Sequence, residues 1–65
     1  MTNSATVYWH VERLRRDGVW RQISPEGMGG YERNRELFAL TRSQMKRGTI
    51  RLVTNHGHVS EEHTA

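Results

Sequence analysis

The stretch VERLRRDGVWRQI, residues 11–23, decides how this chain folds. Arg16-Asp17-Gly18 reads as a three-residue hairpin loop, a type I turn with Gly18 in the left-handed position of a bulge. That loop sets Arg15 opposite Val19, Arg13 opposite Arg21 and Val11 opposite Ile23. One face of the hairpin then carries Val7, Trp9, Val11, Val19 and Ile23. The other carries Tyr8, His10, Glu12, Leu14, Trp20 and Gln22. A two-residue Asp17-Gly18 loop would set Ile23 against Glu12 and break the apolar face. A one-residue slip exchanges whole faces, so the apolar pattern selects the longer loop.

The flanking segment TVYWHVERL is rich in β-branched and aromatic residues, which suit a half-buried strand. SPEGMGG, residues 24–30, ends the hairpin in a flexible loop, because Pro25 cannot donate to a ladder and glycine recurs. In YERNRELFALTRSQMKRG, Leu37, Phe38, Thr41 and Met45 fall at helical spacing, with Leu40 beside them. Asn34 is the candidate N-cap and Gly48 the candidate residue just past the C-terminus. Lys46 and Arg47 in the last turn suit the helix dipole. A rival reading starts a helix at the capping box Thr41-Arg42-Ser43-Gln44 and makes residues 35–40 a strand. The single helix is preferred because its apolar stripe is continuous. In GTIRLVTNHGHVSEE, Ile50, Leu52 and Thr54 alternate as a strand. Asn55-His56-Gly57 signals a turn that folds HVSEE back as a short edge strand. Residues 1–5 and 62–65 are expected to be frayed.

The expected fold is α+β: an antiparallel sheet of three or four strands with one helix packed on one face, ββαβ or ββαββ. With 65 residues the chain is one small domain with a thin core. There are no cysteines, which excludes disulfides and thiolate metal sites. A chain this small is commonly made robust by a partner, and a homodimer would serve that purpose. No apolar run is long enough to span a membrane, and the N-terminus lacks a secretory pattern, so the expected location is the cytoplasm of a host bacterial cell.

Enzymatic chemistry finds little footing. Asp17 is the only aspartate and belongs to the turn. Glu32 and Glu36 are one helical turn apart among arginines and read as surface pairs. The serines lack a nucleophile-elbow context, and GMGG lacks the Lys-Ser/Thr of a phosphate loop. Among the four histidines, His56 and His58 flank a turn glycine and His63 lies in the tail, so no metal and no cofactor is expected.

The arginines carry the strongest signal. Formal net charge is +3, and all the basic residues but Lys46 are arginine. Arg13, Arg15 and Arg21 share one hairpin face with Arg16 at its tip. A like-charge cross-strand pair such as Arg13–Arg21 is mildly destabilising, and an anion between the two forks would relieve it. Trp20, on the reverse face beside Leu14, completes a candidate partner-binding set of Arg13, Arg15, Arg16, Trp20 and Arg21. Arg42, Lys46, Arg47 and Arg51 form a secondary basic surface around the helix end.

The order TVYWHVERL, FALTRSQMKRG, TIRLV resembles the layout of small phage-encoded proteins that block bacterial defence, the anti-CRISPR class. HVERLRRDGVW followed by TIRLVTNHGHV is also similar to short bacterial hairpin–helix–hairpin domains. The resemblance implies a non-enzymatic inhibitor from a phage or mobile element that holds a bacterial defence nuclease or CRISPR effector. Many such inhibitors are acidic mimics of nucleic acid; this chain is basic, which directs the expectation toward an acidic protein patch or nucleic acid held with its target. The alternative is a small basic DNA-binding module that lays its sheet in a groove.

Overall fold

The turn chemistry of residues 16–18 builds the hairpin as its sequence dictates. The computed structural model describes residues 6–65, so the expectation for the first five lies outside the described residues. β1 (Trp9–Leu14) pairs antiparallel with β2 (Trp20–Gln22), with Arg13 opposite Arg21 and Leu14 opposite Trp20. Gly18 N–H donates to Arg15 O at 3.0 Å, and Asp17 Oδ1 accepts from Val19 N–H at 3.0 Å. Gly18 has φ +85°, the left-handed geometry that the bulge requires. Arg15 N–H donates to Val19 O and Ile23 N–H to Val11 O, so the three-residue loop and its register are as expected.

A single helix follows, α1 (Tyr31–Gln44), so residues 35–40 are helical rather than extended. β3 (Thr49–Thr54) then pairs antiparallel with β1, and β4 (Val59–Thr64) pairs antiparallel with β3. The sheet order is β2-β1-β3-β4, which makes the protein ββαββ with β1 and β3 central. Val11, Phe38, Ile50 and Leu52 form the core, none more than 2% exposed. Burial of each such side chain stabilises by roughly 1.5–3 kcal/mol. Trp9, Ile23, Leu37 and Met45 pack around them.

Several expectations need correction. Asn34 is not the N-cap: the helix begins three residues earlier, and Gly30 holds the cap position without a side-chain bond. Asn34 is fully buried in the first turns of α1. Its Nδ2 donates to Met28 O and Gly30 O, and its Oδ1 accepts from Ser24 Oγ at 2.6 Å. Ser24 Oγ in turn accepts from Val11 N–H at 2.7 Å. A local capping preference yields here to a buried site that satisfies an amide side chain with three partners. The loop 24–30 is therefore pinned, not loose. Trp9 N–H also donates to Gly29 O, and the Tyr8 ring lies against Gly29 so closely that a Cβ there would sit 2.9 Å from it.

At the other end, α1 stops at Gln44, so Gly48 is not its terminal glycine and Lys46 and Arg47 lie past its last turn. Gly48 belongs to the turn into β3. Val7 and Val19, expected on the inner face, are 48% and 54% exposed. They lie at the two ends of the hairpin, beyond the residues on which the helix packs. Residues 62–64 are not frayed: β4 runs through Thr64, and Ala65 N–H donates to Gly48 O. Backbone pairing along β3 holds this polar segment in place of apolar burial. Ser60 is an extra residue between the pairs Leu52–Glu61 and Val53–Val59, a bulge in the edge strand.

The Ser24–Asn34 bond joins β1, the loop and the helix at one buried point. Asn34→Leu should therefore destabilise the protein by about 3 kcal/mol and Ser24→Ala by about 2 kcal/mol in urea melts. The exposed Ser43→Ala should change stability by less than about 0.5 kcal/mol. A cost below about 1 kcal/mol for Asn34→Leu would remove the network from its structural role.

Candidate anion-binding surface

Strand alternation sends Arg13, Arg21 and Ile23 to the helix-covered face of the hairpin. There they extend past the core toward the tip. Arg13 Nη2 donates to Arg47 O at 3.0 Å, which ties the hairpin to the turn after α1. The result is a cleft at one end of the molecule, lined by Arg13, Arg15, Arg16, Arg21 and Arg47. Ile23 forms part of its wall. Asp17 is the only carboxylate that lines it, and its Oδ2 lies 3.2 Å from Arg15 Nη2. Among the described residues, Arg13, Arg16, Arg21 and Arg47 have no carboxylate within ion-pair distance.

The structure thus gathers Arg13, Arg15, Arg16 and Arg21 and adds Arg47 to them. It does not bring Trp20 to the same face. Trp20 points to the open side of the sheet, where the Arg51 guanidinium lies 3.9 Å from its ring centroid. Arg51 reaches across β1 and also donates from Nε to Glu12 Oε1 at 2.7 Å. Glu12 Oε2 lies 2.9 Å from His10 Nε2. Together, Trp20, Arg51, Glu12 and His10 make a continuous polar array on the open face. A cation stacked on an indole in this way adds about 0.5–2 kcal/mol according to its exposure.

The secondary basic surface does not exist as one surface. Arg42 is in the last turn of α1 and lines a separate cleft facing Glu61 and His63 of β4. Lys46 is exposed past the helix, Arg47 joins the hairpin cluster, and Arg51 is on the opposite side of the sheet. The helix-end grouping assumed a helix reaching residue 47, and it ignored the alternation that turns Arg51 away from α1.

Sequence reasoning missed two arrangements. The Glu12–Arg51 pair needs β3 to lie beside β1, and no local signal gives that strand order. The Ser24–Asn34 network needs the loop to fold back on the helix. The histidines scatter: His58 lies edge-on to Trp9 at 6.4 Å, His56 is exposed, and His63 is half-buried on β4. Among the described residues no group of three or more His, Cys, Asp and Glu residues has the arrangement of a metal site. No helix among them is long and apolar enough to cross a membrane.

Burial raises the pKa of Glu12, but hydrogen bonds from His10 and Arg51, with their charges, outweigh it and hold the carboxyl below its ordinary value of 4.5. A depressed folded-state pKa contributes stability that is present above 4.5 and lost as pH falls through the folded value. Thermal melts taken from neutral pH downward should therefore show a shallower acid-side loss for Glu12→Gln than for the native chain. Superimposable acid limbs would show that the Glu12 array adds no pH-dependent stability. Set against family models, curated proteins and solved structures, the chain finds no match.

Proposed function

We propose that the chain is a non-enzymatic binding protein, from a phage or mobile element, that inhibits a bacterial defence nuclease or CRISPR effector by occlusion. Its grip is the arginine end of the hairpin. The observation that carries this reading is the cleft with five arginines and one carboxylate. Cations held together without counter-ions repel one another, and an anionic partner surface offsets that cost. Arginine forks suit this task because they pair with carboxylates or phosphates through two parallel bonds.

The open sheet face favours the inhibitor over the DNA-binding module. A sheet that reads a groove presents that face to phosphates and base edges. Here the open face carries Glu12 and Glu62, and its Arg51 is already committed to Glu12 and Trp20. The hairpin arginines that lack a carboxylate partner are on the other side, in a cleft rather than on an open sheet face.

The test is a plating assay in bacteria carrying active CRISPR immunity of different types. Expression of the chain should restore plating of a targeted phage in at least one type, and Arg13→Ala with Arg21→Ala should abolish the rescue. A duplex DNA titration over a salt series should show no binding near physiological salt. Absence of rescue in every type, together with tight duplex binding that falls steeply with salt and depends on the same arginines, would transfer the reading to a DNA-binding module.

A further inference from the structure

The wall of the arginine-lined cleft is mostly carbon, although five of its residues are cationic. Arginine stems cover apolar surface readily while their charged heads seek water or a counter-ion. Ile23 is half-buried there, and it packs against the core on its inner side. Arg21 and Ile23, two residues apart on one face of the hairpin's second arm, thus give the cleft a cationic and an apolar side chain in turn. Facing it, Arg13 is held by Arg47 O, so its fork is fixed before any ligand arrives.

We propose that the cleft receives an acidic segment of a partner protein with an apolar side chain set between its carboxylates. This rests on the binding reading above and specifies the chemistry of the partner. A DNA duplex, with its bases stacked inside, would satisfy the arginine heads through its phosphates but leave the carbon wall facing water. A segment with flanking carboxylates and one central apolar group satisfies both. The carboxylates meet the Arg13 and Arg21 forks, and the apolar group covers Ile23 and the arginine stems. Removal of that carbon surface from water supplies the part of the affinity that salt cannot screen.

Fluorescence anisotropy at physiological salt tests this with three probes. The first is a short synthetic peptide of glutamates with one central phenylalanine. The second has glycine in place of the phenylalanine, and the third is a short DNA duplex. The phenylalanine peptide should bind on the order of tenfold tighter than the glycine peptide. Arg21→Gln should weaken both peptides, whereas Ile23→Thr, at the half-buried wall of the cleft, should narrow only the gap between them; thermal melts of both variants check that they keep the fold. Equal affinity for the two peptides, or tighter binding of the duplex than of the phenylalanine peptide, would overturn the proposal. If neither peptide binds while phage plating still depends on Arg13 and Arg21, the acidic–apolar partner falls and the inhibitor reading stands. If the peptides behave as expected without rescue of plating, the partner chemistry stands and nuclease inhibition falls.

Discussion

The hydroxyl of Ser24 is the joint on which this fold turns. It accepts from the Val11 amide of a central strand and donates to the Asn34 amide oxygen inside the helix. Both Ser24 and Asn34 are buried, so neither can exchange this bond for water without cost. The bond fixes how far along β1 the helix begins, and so which strand residues Phe38 covers. The hydrophobic contacts provide most of the favourable energy. They are non-directional, however, and do not specify a helix position along the sheet as a hydrogen-bonded node does.

The charges divide by the same geometry. On the open face, Arg51 is used structurally: it bridges Glu12 and Trp20 and covers the indole. At the hairpin end, Arg13 and Arg21 stand side by side with no carboxylate between them. The same residue type thus has two roles in one small sheet, and strand parity separates them. The odd-numbered residues of β1 face the helix; the even-numbered residues of β1 and β2 face outward with Arg51.

What the sequence discloses follows the range of the interaction that decides it. The hairpin and its register are local, set by Asp17, Gly18 and the alternation around them, and they are legible. The helix is legible from its stripe, though not its ends, because Asn34 answers to Ser24 and Met28 rather than to its own backbone. The placement of β3 beside β1 is non-local, and with it the Glu12–Arg51–Trp20 array. The last strand is legible from its turn as a short edge strand, but its reach to Thr64 is not, because VSEEHT has almost no apolar content and pairs with β3 mainly through its backbone. Of the candidate site, the arginines of the hairpin were legible as a cluster. Arg47 was not assigned to it, since it arrives from the turn after α1.

Both margins of the sheet are poor templates for further strands. β2 is only three residues long and bears Arg21, while β4 carries the Ser60 bulge and turns Glu61 toward the helix side. Growth by main-chain pairing is thereby discouraged at each margin. A visiting chain must be recognised through its side groups, and discrimination among partners then lies in charge spacing and shape, with little dependence on whether the visitor is extended or helical.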